Sequence, residues 1–343
     1  MDVQTAIQTL KQQEFKPIYL VLGTEDYLQR KIREEFLKKF KVDEEDDLNF
    51  MSFDMETTAL EDVVAEAETL PFFGDYRLIF VETPYFLTGE KKSSSIEQNT
   101  DLLVEYLKNP VESTVLVFFA NYEKLDERKK VTKQLKKAAE IIDVKPLSEQ
   151  EVRRYIQKQI EQAGVRMDKD AFDLFLRLTD MELSKMMREL EKLLLFSNEE
   201  KSITTETVSS LVPKSLEHNI FDMTNYVLKG NADQALRLYD DLHLQGEETI
   251  KINAILLSQL RLLLQTKILM RIGYQQANIA DTLKIHPYRV KLAMQQVRAF
   301  DEKTVVNLVD ELVEMDYQIK SGQMDKEFLF QLFVLKTANQ MRK

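Results

Sequence analysis

The residues that most resemble a chemical site follow one apolar run near the start of the chain. Residues 18–22 (Ile-Tyr-Leu-Val-Leu) form a continuous apolar run typical of a buried strand. Gly23 follows at once, and residues 25–32 are predicted to form a helix. A strand, a glycine turn and a helix in this order make up the frame of a phosphate-binding loop, in which backbone N–H groups and a lysine hold the phosphates.

This loop lacks the residues that phosphate binding requires. The phosphate-binding pattern is G-x-x-x-x-G-K-[ST], in which the lysine reaches the outer phosphates and the hydroxyl holds Mg²⁺. Gly23 stands alone here, and the dipeptide Gly-Lys occurs nowhere in the chain. Glu25 and Asp26 instead place two carboxylates at the helix N-terminus, where they favour a free helix end and repel a triphosphate. The sequence therefore predicts the architecture of an ATPase that does not use ATP.

Other catalytic residue types are also missing. In an ATPase of this architecture, a strand such as residues 115–119 ends in an acidic pair that positions Mg²⁺ and water, but here the chain continues into Asn121 and Tyr122. The absence of cysteine excludes thiolate zinc sites and a cysteine nucleophile. The three histidines are far apart in sequence (His218, His243, His286). We therefore expect no catalytic residue, no metal site and no cofactor.

Length and charge limit the classes of protein that remain. A chain of 343 residues has room for two or three domains, and its apolar fraction of 44% is ordinary. Its net charge of −11 argues against autonomous nucleic-acid binding as the main activity, because that activity usually requires a basic domain or stripe. The N-terminus has no signal pattern and no apolar run approaches ~18 residues, so we expect a cytoplasmic protein without a membrane partner.

The elements that must position any site fall into two classes. Apolar runs between predicted helices indicate a parallel sheet covered on both faces, and these runs span residues 18–22, 49–53, 78–81, 115–119 and 141–144. From Pro146 onward only helices are predicted. The expected fold is therefore an α/β domain followed by all-α domains.

The helical part is predicted to contain two domains. Residues 148–151 fit a capping box that opens the first helix. The four helices predicted up to residue 213 form a small domain, and a boundary is expected within 213–219. A helix over 249–272, apolar on more than one side, is predicted to lie at the centre of a C-terminal bundle. The predicted domains are thus 1–145, 146–213 and 214–343.

Two adjacent phenylalanines, Phe72 and Phe73, lie in the predicted turn between the second helix and the third strand. Aromatic residues in a turn more often tuck under the sheet. Pro71 and Gly74, on either side, instead favour a tight, projecting turn. On such a turn the two rings would form a compact anchor for a pocket on a partner. The residues themselves leave both interpretations open.

Two further stretches have a functional and a structural interpretation. A basic run lies on one predicted helix and is interpreted as a solvated face rather than a nucleic-acid contact, since no interleaved aromatic residue supports base stacking (Lys124, Arg128, Lys129, Lys130, Lys133, Lys136, Lys137). Residues 279–291 resemble a helix-turn-helix whose second helix contains Arg289 and Lys291. Its apolar residues are interpreted as packing positions of the bundle, and the acidic surroundings favour that interpretation.

Ordered segments across almost the whole chain resemble the delta subunit family of the bacterial DNA polymerase III clamp loader, in particular its Gram-positive form. The segments are PIYLVLGTE at 17–25, LPFFGDYRL at 70–78, KLDERKK at 124–130, ELEKL at 189–193, NIFDM at 219–223, SQLRLLLQ at 258–265, IHPY at 285–288 and IKSG at 319–322. No single segment is specific, but the ordered set is.

The resemblance implies an AAA+-like domain with a degenerate phosphate loop (1–145), a small helical lid (146–213) and a helical collar (214–343). It implies a protein that binds the sliding clamp and opens its ring during replication, without hydrolysing ATP itself. The implied partners are the clamp, the ATP-binding tau/gamma subunits, delta prime and primer-template DNA in the assembled loader.

The family's clamp contact is an adjacent apolar pair, which falls on Phe72 and Phe73 within Leu70-Pro71-Phe72-Phe73. The family pair is often Leu-Phe, so Phe72 departs from it. Two other functions remain as alternatives: an atypical AAA+ ATPase, and a DNA-binding regulator that uses residues 279–291.

Overall fold

The computed structural model describes residues 1, 3–11, 15–42, 48–72, 74–89, 96–197, 199–322 and 324–341. The chain forms two compact units, Met1–Glu151 and Val152–Lys343. The helices predicted for a lid and for a collar both belong to the second unit, and the division between them at residue 213 stays a prediction.

The first unit contains a five-stranded sheet in the order β2-β3-β4-β1-β5, and every neighbouring pair is parallel. Ile18 lies opposite Leu116, and Leu78 lies opposite both Phe50 and Val115. The five predicted strands are confirmed, with bounds that differ by a residue or two: β1 (Ile18–Leu22), β2 (Phe50–Asp54), β3 (Arg77–Glu82), β4 (Thr114–Ala120) and β5 (Glu140–Asp143).

Helices cover both faces of this sheet. They are α1 (Val3–Lys11), α2 (Asp26–Phe40), α3 (Leu60–Ala67), α4 (Thr100–Tyr106) and α5 (Lys130–Ala138). On one face, Phe36 of α2 meets Tyr19 of β1, with ring centroids 5.0 Å apart. On the other face, Leu116 and other strand residues share one apolar core with Val63 of α3 and Leu135 of α5. Burial on both faces explains why the central strands β3, β4 and β1 are continuous apolar runs, whereas the edge strand β2 is partly exposed.

The second unit is built from helices and one very short sheet. The helices are α6 (Glu149–Gln162), which begins just before the unit boundary, α7 (Lys169–Leu178), α8 (Leu183–Phe196), α9 (Thr205–Leu211), α10 (Leu216–Leu228), α11 (Ala232–Leu244), α12 (Thr249–Arg271), α13 (Gln276–Leu283), α14 (Pro287–Val297), α15 (Glu302–Lys320) and α16 (Lys326–Met341). Residues Leu256, Leu260 and Leu263 of α12 are fully buried in a core shared with α10, α11, α14, α15 and α16. The predicted central position of this helix is confirmed.

The capping box predicted at the start of α6 is also confirmed. The Ser148 N–H donates to Glu151 Oε2 at 2.8 Å, and the Glu151 N–H donates to Ser148 Oγ at 3.4 Å. These reciprocal bonds satisfy backbone donors that the first helical turn leaves without partners.

The structure differs from the sequence predictions in two places. The region after Pro146 does contain strands, β6 (Arg166–Met167) and β7 (Ser202–Ile203), which pair in parallel. Helix α1 is not predicted. Helix α10 begins at Leu216, within the boundary expected at 213–219, and Ser215 accepts a capping hydrogen bond from the His218 N–H at 3.1 Å. The segment after β3 begins with a 3₁₀ turn, Tyr85–Leu87, whose Leu87 is fully buried.

None of the helices in the described part of the chain has the length and hydropathy that a membrane crossing requires.

Candidate functional site

The turn between α3 and β3 projects apolar side chains into solvent. Leu70 is 74% exposed and Phe72 is 55% exposed, while Pro71 is half-buried. The interpretation of Phe72 as a residue tucked under the sheet is therefore wrong. Phe73, the second residue of the predicted clamp-binding pair, lies outside the described residues.

A side-chain amide from another element fixes the backbone at Phe72. Asn49, just before β2, accepts a hydrogen bond from the Phe72 N–H at 2.6 Å and donates Nδ2–H to the Phe72 carbonyl oxygen at 2.7 Å. The Asn49 carbonyl oxygen in turn accepts from the Leu78 N–H of β3 at 2.8 Å. Asn49 thus ties Phe72 to the sheet edge as a paired strand residue would.

A buried guanidinium forms a second tie at the base of the turn. Arg77, 6% exposed, forms an ion pair with Glu66 of α3. It also donates to the carbonyl oxygens of Leu70 at 3.2 Å and Leu48 at 3.3 Å. Leu48 is itself 61% exposed, so Arg77 holds two segments that both present a leucine to solvent.

Sequence reasoning missed Asn49, Arg77 and Leu48. Asn49 lies 23 residues before its partner Phe72, and Arg77 lies 29 residues after Leu48. No local pattern connects residues at these separations, and the pairs become visible only when the sheet brings β2 beside β3.

Aromatic side chains pack beside the turn. Phe15, Phe40 and Tyr76 form a cluster with ring centroids 4.9 to 6.1 Å apart. They line an open cleft of about 740 Å³ together with Asn49 and other residues of the sheet edge. Tyr76 therefore anchors the second half of the turn to α2 and to the segment before β1.

The loop at Gly23 is closed by its own hydrogen bonds. The Gly23 N–H donates to the Ala120 carbonyl oxygen at 3.2 Å, and the Glu25 N–H donates to the Val144 carbonyl oxygen at 3.0 Å. The Gln29 side-chain amide donates Nε2–H to the Gly23 carbonyl oxygen at 2.6 Å. Gly23 has a φ of 142°, and a Cβ there would lie 2.3 Å from the Val144 carbonyl carbon. These backbone groups are directed at β4 and at the residues after β5, so they do not form an open cradle for phosphate.

A carboxylate that sequence analysis missed lies at the carboxyl end of β3. Glu82 forms an ion pair with Arg33 of α2. The Arg33 guanidinium also lies over the rings of Phe119 at 4.4 Å and Phe80 at 5.1 Å. The arrangement stabilises the packing of α2 on the sheet and commits the Glu82 carboxylate to a cation of the same chain.

The basic run on and before α5 is largely engaged with neighbouring groups. Lys129 donates to the carbonyl oxygens of Phe86 and Thr88. Arg128, Lys130 and Lys136 form ion pairs with Asp126, Asp101 and Glu127, in that order. The hydrogen bond from Arg128 holds the pKa of Asp126 below its usual range. This pattern agrees with a solvated, self-paired face.

The helix-turn-helix candidate 279–291 corresponds to α13 and α14. Ile279 and Val290 are fully buried and pack together in a small apolar cluster. The packing interpretation of these apolar positions is confirmed. Arg289 is exposed at the edge of a small cavity whose lining also includes His218 and Asp180.

The three histidines are not brought together. His218 is 6% exposed, with Nε2 3.7 Å from an Asp222 carboxylate oxygen, and burial lowers its pKa. His243 bonds to Tyr239 and Thr249, and His286 caps α14.

Comparisons with known proteins match both units of the chain. The family profile "DNA polymerase III, delta subunit" matches residues 19–145, and the profile of the "DNA polymerase III delta subunit, C-terminal domain" matches residues 217–337. The chain is 40% identical over 328 residues to DNA polymerase III subunit delta of Bacillus subtilis (strain 168), covering 96% of this chain and 94% of that protein. It is 23% identical over 309 residues to the probable DNA polymerase III subunit delta of Aquifex aeolicus (strain VF5), covering 87% of this chain and 85% of that protein.

A solved structure agrees with these relatives. The chain matches the Bacillus subtilis DNA clamp loader delta protein (YqeN) with a TM-score of 0.79 and 39% identity, covering 98% of this chain and 99% of that one. Together with the parallel sheet, this match confirms the predicted fold class, an AAA+-like α/β domain followed by helices.

Proposed function

The chain belongs to the family of DNA polymerase III delta subunits, and we propose from this premise that it binds the sliding clamp through residues 70–73 and opens its ring for loading onto primed DNA. The binding energy can favour the open ring only to the extent that the chain binds the open form more tightly than the closed form. The proposed role is therefore mechanical, and it is exercised in the cytoplasm during DNA replication.

The observation that supports the clamp contact is the exposure of Leu70 and Phe72 on a turn held by internal hydrogen bonds. Large apolar side chains that are exposed on a fixed backbone are suited to anchor an interface, because little backbone entropy is lost when they enter a pocket. Residues 70 and 72 expose 74% and 55% of their surface, so most of their apolar area is available to a partner.

The closed loop at Gly23 supports the proposal that the chain does not hydrolyse ATP. The Gly23 and Glu25 N–H groups already donate within the chain. The first turn of α2 contains Asp26, and the Gly-Lys-[Ser/Thr] end of the phosphate-binding pattern is absent from the loop sequence. A triphosphate placed there would meet the Glu25 and Asp26 carboxylates at the start of α2. ATP-driven steps are assigned to neighbouring loader subunits.

An exposed stripe on α16 supports the proposed collar. Phe328, Leu332 and Leu335 follow one another at spacings of four and three residues and are each about half exposed. Such spacing places them on one face of the helix. We assign this face of α16 to contact with the tau/gamma subunits or with delta prime. In the assembled loader, these subunits and this chain would together hold primer-template DNA.

The experiment that tests the function is binding of the purified full chain to the sliding clamp without ATP. Wild type is expected to bind, and Phe72→Ala/Phe73→Ala is expected to lose binding while its thermal unfolding hardly changes. Phe196→Ala, at a phenylalanine 64% exposed on α8, is the matched control. A folded wild type that does not bind the clamp would contradict the proposal.

Two added measurements test the alternatives. Heat released on titration with ATP would favour an atypical ATPase. Salt-dependent binding of the full chain to duplex DNA, lost on substitution of Arg289 and Lys291, would favour a DNA-binding regulator.

A further inference from the structure

The backbone of Phe72 is held by one side chain that no helix or strand pattern requires at that place. Asn49 pairs with both backbone groups of Phe72, at 2.6 and 2.7 Å. Asn49 is itself fixed, because its carbonyl oxygen accepts the Leu78 N–H at the start of the β2–β3 pairing. The Asn49 side chain therefore fixes the backbone of Phe72 relative to the edge of the sheet.

The neighbouring glycine leaves room for this amide. A Cβ built on Gly74 would lie 3.1 Å from Asn49 Nδ2, closer than most side-chain contacts tolerate. Gly74 thus permits the close approach that the Asn49–Phe72 pair requires. Arg77 adds a second tie by donating to the Leu70 carbonyl oxygen at 3.2 Å.

These ties act on a segment whose apolar side chains are directed outward. Phe72 and Leu70 are largely exposed, so burial of their side chains contributes little to holding the turn in one conformation. The hydrogen bonds from Asn49 therefore contribute to that restraint. If the turn populates its binding conformation only part of the time, its apparent affinity for the partner is reduced in proportion to the population of that conformation.

We propose that Asn49 is a positioning residue for clamp binding, which holds Phe72 in the conformation that enters the clamp. This inference rests on the proposed clamp contact at residues 70–73. Asn49 acts through Phe72 and does not itself have to touch the clamp.

A first test is independent of the clamp. Amide hydrogen exchange of the full chain, followed by mass spectrometry on peptides covering residues 70–76, is compared between wild type and Asn49→Ala. Loss of the bond to the Phe72 N–H is expected to speed exchange in this segment about tenfold. Asn225→Ala, which removes an asparagine that accepts from Gln296 at 2.8 Å in the second unit, is the control and should leave the segment unchanged. Unchanged exchange in Asn49→Ala would overturn the proposal.

A second test measures clamp affinity in a double-mutant cycle. Asn49→Ala alone is expected to weaken clamp binding about tenfold, but to change the affinity of Phe72→Ala less than twofold, because its effect passes through the Phe72 side chain. Asn49→Asp, which keeps the acceptor for the Phe72 N–H and loses the donor, is expected to fall between wild type and Asn49→Ala.

The outcomes separate the two proposals. Wild-type affinity in Asn49→Ala, or losses that add fully in the double variant, would overturn the positioning role while the clamp contact stands. Full-strength binding by Phe72→Ala would overturn the clamp contact, and the role of Asn49 in binding with it.

Discussion

Replacement of Phe72 by alanine is expected to weaken clamp binding about 100-fold and to leave the stability of the chain nearly unchanged. Both parts follow from where the ring lies. Phe72 is 55% exposed in the free chain, so its contribution to the folded core is small and its contribution to an interface can be large.

The size of the loss follows from the exposed area. A phenylalanine buries roughly 150–250 Å² when fully enclosed, so the exposed 55% of Phe72 leaves about 80–140 Å² for the clamp to cover. At ~25 cal/mol per Å² this area corresponds to about 2–3.5 kcal/mol of binding free energy. Since each 1.4 kcal/mol is about tenfold, the affinity should fall about 30- to 300-fold.

The assay is surface plasmon resonance on immobilised clamp without nucleotide, with thermal unfolding of each variant measured in parallel. Phe196→Ala makes the same substitution at a phenylalanine that is 64% exposed in the second unit, and it should keep wild-type clamp affinity. A loss of less than about threefold for Phe72→Ala would refute the area argument. A fall in melting temperature of more than about 8 °C would show that the ring belongs to the core.

Three predictions concern stability. Gly23→Ala is expected to lower the free energy of unfolding by about 3 kcal/mol in urea titrations, because its Cβ would lie 2.3 Å from the Val144 carbonyl carbon at a φ of 142°; a loss below about 1 kcal/mol would contradict this. Asp301→Ala removes the cap of α15, in which Asp301 accepts from the Thr304 N–H at 2.6 Å, and should cost about 1 kcal/mol by the same titration. Burial lowers the pKa of His218 in the folded chain below the ordinary value of 6.5. As the pH falls through 6.5, the unfolded chain therefore binds a proton more readily than the folded chain does. The free energy of unfolding should accordingly fall on acidification from about pH 7.5 to 5.5. His218→Gln should show a shallower fall in melting temperature over that range, and an equal fall would exclude His218 as its source.

The centre of the sheet was predictable from sequence because strands β3, β4 and β1 are buried on both faces. In β1, residues Ile18 to Val21 are almost fully buried, and β4 is buried throughout. A strand in that environment must be apolar at successive positions, which gives a continuous run visible without any alignment. The edge strands β2 and β5 are partly exposed, and their predicted bounds lie within a residue of the observed ones.

Elements held by long-range contacts were not predictable. Helix α1 has only three buried apolar residues, Val3, Ala6 and Leu10, and its start is fixed by the Asp143 N–H of β5, which donates to the Met1 carbonyl oxygen at 2.9 Å. Strands β6 and β7 have two residues each, too few to show a period.

The candidate site likewise has a part that the sequence predicted and a part that it did not. Pro71 and Gly74 indicated a turn, but the exposure of Phe72 depends on what the turn packs against, so the pattern left two interpretations open. Asn49 and Arg77 decide the geometry through hydrogen bonds to Phe72 and Leu70. Polar residues at such separations have no sequence signature, because nothing local distinguishes them from solvated side chains.

The most direct test of the central claim is release of the sliding clamp from nicked circular DNA by the purified chain in the absence of ATP. We predict that wild type releases the clamp, that Phe196→Ala does so at the wild-type rate, and that Phe72→Ala/Phe73→Ala does not, although all three remain folded. Binding of the clamp by wild type without any release would contradict ring opening, and release by the double variant at the wild-type rate would contradict the site.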